Sequence, residues 1–222
     1  MDGMPARYRD RVEAGRRLAK ELTEYAGRPD VIVLALPRGG VPVAFEVAQA
    51  LRAPLDVFLV RKLGLPYHEE YAMGAIATGG VRVLDERIIR AFNVSEADVE
   101  AVASVEQREL ERRERRYRGD RPPPEIAGKT AILIDDGLAT GSTMRAAVEA
   151  LRRENAARVV VAVPIAPPET CDAFRDIVDD IVCARTPEPF HAVGLWYEDF
   201  RQTTDEEVHE LLERAGSAVS TS

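Results

Sequence analysis

Short apolar runs alternate with amphipathic stretches along most of the chain. A run of about four to eight apolar residues bounded by turn residues predicts a strand that is buried on both faces of a sheet. Such runs lie at residues 31–36, 55–60, 131–134, 158–165 and 180–184. Strands that alternate with helices form a parallel sheet covered by helices. The pattern therefore predicts an α/β protein with a doubly wound, mainly parallel sheet.

The segments between these runs carry apolar residues at helical spacing. Apolar residues about 3.6 positions apart on an otherwise polar segment predict a helix with one face on the core. Helices are predicted at residues 8–25, 43–51, 144–151, 167–178 and 204–214. The last begins with Thr204 and has Glu207 three residues later, which is the pattern of a capping box. Residues 217–222 are expected to form a frayed tail.

Residues 65–120 interrupt this alternation and are interpreted as an insertion into a single domain that spans residues 1–222. Apolar residues at 71–78 and 81–84, joined by a Gly-Gly turn, predict a β-hairpin. A short helix is predicted next, at 86–92.

A long helix, dense in both charges, is predicted at 95–117, with Ser95 and Asp98 as its capping pair. Mixed charge of this density is typical of a solvated helix face or of a seam between helices. The functional alternative is a mobile arm that closes over a reaction. Residues 119–124 end the insertion.

The clearest chemical pattern follows the apolar run at 131–134. Two adjacent carboxylates, Asp135 and Asp136, come first, and a loop of small residues at 137–141 then leads into a helix. Small residues let the backbone approach a ligand closely, and free N–H groups in the first turn of a helix bind anions such as phosphate. Carboxylates repel phosphate but suit sugar hydroxyls, or a divalent cation that bridges to phosphate. The combination predicts a site for a ribose 5-phosphate.

This stretch, residues 132–143, resembles the phosphoribosyl pyrophosphate (PRPP) signature of the type I phosphoribosyltransferases. It has the apolar run, both acids and the Thr-Gly-x-Thr turn in the same order. The resemblance implies the type I phosphoribosyltransferase fold. It also implies transfer of the 5-phosphoribosyl group of PRPP to a nitrogenous base, with release of pyrophosphate and dependence on Mg²⁺. Family members commonly form dimers, so a homodimer or a higher homo-oligomer is expected.

A second turn, Arg38-Gly39-Gly40, lies between the first apolar run and the helix that follows it. Its glycines expose backbone N–H groups at the carboxyl edge of the sheet, where doubly wound folds hold ligands, and Arg38 is able to grip phosphate oxygens. The turn is similar to the pyrophosphate-binding loop of the same family. Arg61 and Lys62 match the place of basic residues that face pyrophosphate in family members; the alternative is a solvated strand end.

The resemblance assigns roles to these residues by position. Catalytic roles are expected for Arg38, Lys62, Asp135 and Asp136. PRPP is expected to bind Arg38, Gly39, Gly40, Asp135, Asp136, Gly137, Ala139, Thr140, Gly141, Ser142 and Thr143. Mg²⁺ is expected to contact Asp135 and Asp136, with most of its ligands supplied by the substrate.

The C-terminal region at 186–215 is expected to form a small hood, and it concentrates aromatic residues. Trp196, Tyr197 and Phe200 are candidates for stacking on a base, because aromatic faces pack on flat heterocycles and because this segment helps hold the nucleobase in the fold family. The alternative is that they pack a lid onto the core. Family members that use 6-oxopurines commonly have a proton-accepting Asp where this chain has Ala139, so 6-oxopurines are expected to be poor substrates.

Composition narrows the setting of the protein. The chain has 222 residues and a formal net charge of −8, which argues against nucleic acid as its main partner. No apolar run approaches the ~20 residues of a membrane span, and the first residues show no signal-peptide pattern, so a cytoplasmic location without membrane contact is expected. Cys171 and Cys183 fit neither a zinc nor a redox motif and are expected to be buried, reduced thiols. The histidines show no metal spacing.

Two other functions stay open at this level. The domain would act as a non-catalytic regulator if it bound PRPP or a nucleotide without turnover, and the basic run at 108–121 would then be the place for nucleic acid. A phosphate-ester hydrolase would use the acidic pair and a metal ion. It ranks last, because the sequence shows no further carboxylate or histidine cluster to hold two ions.

Overall fold

The computed structural model describes residues 7–66 and 68–219. Its strands are β1 Val31–Ala35, β2 Leu55–Val57, β3 Val60–Leu65, β4 His68–Ala77, β5 Val81–Leu84, β6 Thr130–Ile134, β7 Arg158–Val163 and β8 Asp180–Cys183. Its helices are α1 Arg11–Glu21, α2 Gly40–Leu51, α3 Glu86–Ala91, α4 Glu96–Arg118, α5 Ser142–Arg153, α6 Pro168–Arg175 and α7 Asp205–Val219. In this described part of the chain, no helix combines the length and the apolar content needed to cross a membrane.

Five parallel strands form the central sheet, in the order β2-β1-β6-β7-β8. Every residue of β1 and β6 is buried, as their continuous apolar runs predict. Alternate residues point to opposite faces of a strand, so Val33 packs into the core on one side of the sheet and Leu34 into the core on the other. Helices α1, α2, α4 and α7 cover the first side, and α5 and α6 cover the second. The predicted doubly wound α/β fold is confirmed.

A second, three-stranded antiparallel sheet belongs to the insertion, in the order β3-β4-β5. The predicted hairpin is present as β4 and β5, joined at Gly79 and Gly80, whose φ angles of 80° and 76° suit glycine. The strand predicted at 55–60 is divided between the two sheets. The chain changes direction at residues 58 and 59, between β2 and β3, and the apolar run continues there because Phe58 is fully buried. The second sheet therefore begins at Val60, before residue 65, where the predicted insertion starts.

The charged helix α4 forms a seam between the insertion and the rest of the molecule. It packs on β3, β4 and α7. The apolar residues buried on its inner face are Val99, Ala103, Leu110 and Tyr117. Its C-terminal end is fixed by a buried salt bridge from Arg118 to Asp56, at 3.1 Å. Of the two interpretations of this helix, the structure favours the seam over a mobile arm.

Both ends of the chain differ from their predictions. The first helix starts at Arg11 and not at Tyr8, because the backbone of Tyr8 pairs with that of Tyr197 in a parallel bridge. The last helix continues past its predicted end to Val219. The tail predicted at 217–222 is thus helical up to residue 219, and residues 220–222 lie outside the described residues.

The prediction of two reduced thiols is wrong. Cys171 and Cys183 form a disulfide, with their Cα atoms 6.7 Å apart. Cys171 lies on α6 and Cys183 ends β8, and the two elements pack against each other. The separation of 12 positions between the cysteines gives no sign of this contact, because the contact depends on how the helix folds back on the sheet. The disulfide ties α6 to the edge strand of the central sheet.

Candidate functional site

The loop between β6 and α5 has the geometry of an anion-binding cradle. Gly141, with a φ of 74°, precedes the helix, and no side chain caps the first turn of α5. Within the described residues, nothing accepts a hydrogen bond from the backbone N–H groups of residues 139–143. Unpaired N–H groups at the positive end of a helix attract an anion. The exposed hydroxyls of Thr140, Ser142 and Thr143 add further donors.

Helix α6 holds this loop from behind. The hydroxyl of Thr170 donates to the carbonyl oxygen of Ala139, at 2.8 Å. Gly141 lies against the ring of Phe174, and a Cβ added to that glycine would come within 2.6 Å of a ring carbon. The loop is therefore fixed by packing before a ligand arrives, which limits the entropy lost on binding.

The two acids of the loop have different surroundings. Asp136 is held by Arg11 of α1, whose Nε donates to Oδ2 at 2.8 Å, and only 15% of the Asp136 side chain is exposed. Asp135 forms no salt bridge among the described residues, and its Oδ1 accepts from the N–H of Asp136 at 2.8 Å. If both acids bound sugar hydroxyls, neither carboxylate would be expected to pair with a cation of the protein itself. Only Asp135 has that expected setting.

Burial raises the pKa of both carboxyl groups. For Asp135 the removal from water is the largest cause, and the adjacent Asp136 carboxylate raises the pKa further. The pKa of Asp136 is also raised by burial, against the opposing charge of Arg11. A ligand that brings positive charge or hydrogen-bond donors to Asp135 would favour its ionised form.

The acidic pair fits Mg²⁺ only as part of a site completed by substrate. Mg²⁺ requires octahedral oxygen ligation and commonly keeps water and substrate oxygens among its ligands. No group of three or more His, Cys, Asp or Glu side chains is placed to hold a metal ion in the part of the chain that the structure describes. Asp135 offers a carboxylate without an internal cation. A cation here would take most of its ligands from a bound phosphate ester and water.

The Arg38-Gly39-Gly40 turn lies directly against the acidic pair. Its glycines are needed for this approach, because a Cβ at Gly39 would overlap the carboxylate of Asp136 and one at Gly40 would crowd the main chain at the end of β6. Arg38 is 3.5 Å from Asp205 at the start of α7. The structure thus brings together the two turns that the sequence singles out.

Two cavities flank the head of α5, and both have Val60 and Thr143 in their walls. The larger, about 550 Å³, lies between α5 and the second sheet and includes Lys62. The smaller, about 110 Å³, includes Arg38 and Arg61. The larger volume is in the range that small-molecule ligands occupy, whereas the smaller suits a compact anion. Neither carboxylate of the acidic pair lines these two cavities.

The two basic residues of β3 are separated by the alternation of the strand. Arg61 and Lys62 are neighbours, so their side chains point to opposite faces. Arg61 shares the smaller cavity with Arg38, while Lys62 lines the larger one. Arg61 thus shares a cavity with Arg38 and Lys62 does not, and the role of Lys62 toward pyrophosphate stays a prediction. Lys62 has no ion-pair partner among the described residues.

The aromatic residues of the hood pack on each other and on α1. Tyr197 is buried, and its hydroxyl donates to the carbonyl oxygen of Asp136 at 2.5 Å. The guanidinium of Arg11 lies 4.1 Å from the centre of the Phe200 ring, which in turn is 5.0 Å from that of Tyr197. The structure favours the packing interpretation for these two rings. Trp196 is half-buried, and its ring N–H has no partner among the described residues.

Arg11 was not identified from the sequence, although it joins the acidic pair to the hood. Besides Asp136, its guanidinium donates to the carbonyl oxygen of Arg201 at 2.7 Å. It lies 125 residues before Asp136 in the chain. On an ordinary amphipathic helix, no local pattern distinguishes Arg11 from Arg16 or Arg17.

Comparisons with known proteins identify the family of the chain. The profile of the phosphoribosyl transferase domain matches residues 7–188. Two Mycobacterium tuberculosis proteins are each 47% identical to this chain over 208 residues, which is 94% of this chain and 47% of theirs. Their names are "Putative phosphoribosyl transferase MT0597" (strain CDC 1551 / Oshkosh) and "Putative phosphoribosyl transferase Rv0571c" (strain H37Rv). The crystal structure of TT1426 from Thermus thermophilus is 42% identical with a TM-score of 0.83, and the match covers 94% of this chain and 98% of that one.

The fold and the loop after β6 define a phosphoribosyl transferase domain. The chain belongs to that family, as its resemblance to the type I enzymes predicts. It spans about half the length of the curated relatives it matches.

Proposed function

We propose that the protein transfers a 5-phosphoribosyl group from PRPP to a nitrogen of an acceptor base and releases pyrophosphate, with Mg²⁺ as cofactor. The observation that carries the proposal is the set of unpaired N–H groups at residues 139–143 beside Asp135. One short stretch of chain thereby offers donors for an ester phosphate and an acceptor for sugar hydroxyls. Membership of the family supports the same reaction.

In this proposal, separate groups act on separate parts of PRPP. The N–H groups of residues 139–143 hold the 5-phosphate, with Lys62 as a nearby cation in the wall of the larger cavity. Asp135 accepts hydrogen bonds from the ribose hydroxyls and stabilises the positive charge that builds on the ring as the bond from C1 to pyrophosphate breaks. Arg38 and Arg61 stabilise the leaving pyrophosphate. Mg²⁺, when bound, neutralises charge on the pyrophosphate oxygens.

Asp136 has a smaller part in this scheme than the sequence predicts. Arg11 engages its Oδ2, so only Oδ1 is available to a ribose hydroxyl. The same salt bridge favours a second candidate function, a non-catalytic regulator that binds PRPP or a nucleotide. A carboxylate neutralised by an internal arginine stabilises a cationic transition state weakly, yet it does not prevent binding.

A pyrophosphate-release assay with PRPP, Mg²⁺ and a panel of bases tests the proposal. Release is expected with at least one base, and the double variant Asp135→Asn, Asp136→Asn should abolish it. Asp30→Asn is a control that should keep the rate of wild type, because Asp30 lies before the amino end of β1 and the Arg38 turn follows its carboxyl end. Release that survives in the double variant would show that the site is misassigned. Binding of PRPP without release from any base would favour the regulator.

The acceptor is expected not to be a 6-oxopurine. Ala139 is exposed on the loop and offers no proton acceptor from its side chain. Guanine and hypoxanthine should therefore give little or no release in the same panel. Turnover of either base at about 1 s⁻¹ or faster, which is typical of enzymes, would contradict this specificity.

A further inference from the structure

We infer that Arg113, on the insertion helix α4, is a third guanidinium of the pyrophosphate-binding cavity that contains Arg38 and Arg61. The inference rests on the proposed function and extends it to the insertion. Nothing in the sequence marks Arg113, because it lies in a charged run in which six of the eleven residues from 108 to 118 are arginines.

The three arginines come from separate parts of the fold and meet in one cavity of about 110 Å³. Arg38 follows β1, Arg61 lies on β3 and Arg113 lies on the fifth turn of α4. Ten residues of the described chain line this cavity, and none of these ten is acidic. The wall is otherwise mainly apolar. A small space whose only charged groups are three guanidinium groups selects a compact, highly charged anion.

Each arginine is positioned by a carboxylate that lies outside the cavity wall. The pairs are Arg38 with Asp205 at 3.5 Å, Arg61 with Glu106, and Arg113 with Glu109 at 2.8 Å. Supporting pairs of this kind hold a binding group in place without occupying the binding space. The carboxylates therefore orient the arginines, and the three arginines are the only charged side chains among the described residues that line the cavity.

Size and position favour pyrophosphate as the occupant. The cavity is small, about 110 Å³, and its charged side chains are all arginines, which suits a compact polyanion better than a neutral base. Thr143 contributes to its wall, so it adjoins the cradle proposed for the 5-phosphate. Pyrophosphate carries more negative charge than a single phosphate. Three guanidinium groups balance that charge better than one guanidinium group does.

Arg112 provides a matched control for Arg113. Its guanidinium pairs with the same Glu109 at 2.8 Å, but it does not line the cavity. Both arginine side chains are about half exposed, at 59% and 45%, so Arg112→Gln and Arg113→Gln should fold normally. Each variant also removes one positive charge beside Glu109. The effect of net charge on anion binding is therefore the same in both variants, and a difference between them reports on the cavity alone.

Calorimetric titration of the full chain and both variants, at constant ionic strength, tests the inference with two probes. One probe is inorganic pyrophosphate with Mg²⁺, and the other is ribose 5-phosphate. Arg113→Gln is expected to weaken pyrophosphate binding about tenfold, as for one lost charge-assisted contact, and to leave ribose 5-phosphate binding unchanged. Arg112→Gln should leave both affinities unchanged.

Equal pyrophosphate affinity in the two variants would overturn the role of Arg113. So would a wild-type protein that binds ribose 5-phosphate but not pyrophosphate, and in both cases the proposed phosphate cradle would stand. A wild-type protein that binds neither probe would overturn this inference together with the proposed function.

Discussion

At the scale of single residues, position and not residue type sets the chemistry of the acidic pair. Asp135 and Asp136 are neighbours, yet the internal cation Arg11 pairs only with Asp136. A carboxylate that is withdrawn from water without a paired cation lowers the stability of the folded state. Perturbed acids of this kind are typical of functional sites, where stability is lost in favour of ligand binding. The size of this cost in stability depends on pH.

Asp135→Asn is expected to raise the free energy of unfolding at neutral pH. Because burial raises the pKa of Asp135 in the folded state, its stabilising contribution is full below the unfolded pKa and is lost as the pH rises through the folded pKa. The gain from the substitution should therefore be largest near neutrality and vanish as the pH falls to the unfolded value, about 3.9. Urea unfolding at a series of pH values measures this gain.

Asp30 provides a control of the opposite sign. The hydrogen bond from Arg28 is the main cause that lowers the pKa of Asp30, to about 2. Its ionised form therefore adds stability above the unfolded pKa, and this contribution is lost as the pH falls toward 2. Asp30→Asn should lower stability at neutral pH. If Asp135→Asn also lowered it there, the placement of Asp135 in a buried, unpaired setting would be wrong.

Gly141→Ala is expected to damage both the fold and the phosphate cradle. The φ of 74° costs an L-residue about 1–2 kcal/mol, and the contact with Phe174 adds overpacking, so the total loss should be about 2–4 kcal/mol. Gly128→Ala is a matched control, because Gly128 has the same φ and nothing lies within 4 Å of an added Cβ. It should show only the backbone cost. Urea unfolding and ribose 5-phosphate titration compare the two, and equal losses would contradict the packing of the loop on α6.

At the scale of elements, the sequence predicts what depends on neighbouring residues. The caps at Ser95 and Thr204 are confirmed, since each hydroxyl accepts the N–H three residues later at 3.1 Å. The change of direction between β2 and β3 could not be predicted from the sequence. Phe58 would be buried whether the strand continued straight or turned into the second sheet, and the apolar pattern indicates burial but not strand direction. Tyr8 fits the helical spacing of α1 but pairs with the hood instead. Contacts between distant segments leave no periodic trace.

The disulfide is the clearest contact of this kind, and its loss should be measurable. The separation of 12 positions between Cys171 and Cys183 implies about 3 kcal/mol of stabilisation through the unfolded chain. Wild-type protein should therefore unfold at lower urea in dithiothreitol, while the double variant Cys171→Ser, Cys183→Ser should not respond to it. Two free thiols, titrated after unfolding in urea without any reductant, would instead support the prediction of reduced cysteines. The disulfide does not support the predicted cytoplasmic location, because disulfides are uncommon in the cytosol, and that location stays a prediction.

At the scale of the whole molecule, the candidate site is assembled from segments that only the fold brings together. The loop after β6 and the Arg38 turn were readable in the sequence because each is a local pattern between a strand and a helix. Arg11 and Arg113 come from helices far away in the chain, and the division of Arg61 and Lys62 between two cavities depends on which face of β3 is covered. Such features follow from tertiary packing, which a pattern of residues does not specify.

The arginine run at 108–121 raises the question of nucleic acid, and its internal pairing argues against such a partner. Within it, Arg112 and Arg113 pair with Glu109, and Arg116 pairs with Asp205. Nucleic-acid binding draws its free energy from extended rows of cations that release counterions along the backbone, and a helix that mixes its arginines with glutamates, in a chain of net charge −8, offers little net positive charge along its length. In a fluorescence anisotropy titration at low salt, single-stranded RNA and DNA should bind more weakly than about 100 µM, outside the usual non-specific range. Tighter binding that falls steeply with salt, and that is lost when Arg112, Arg113, Arg115 and Arg116 are changed to Gln, would contradict this prediction.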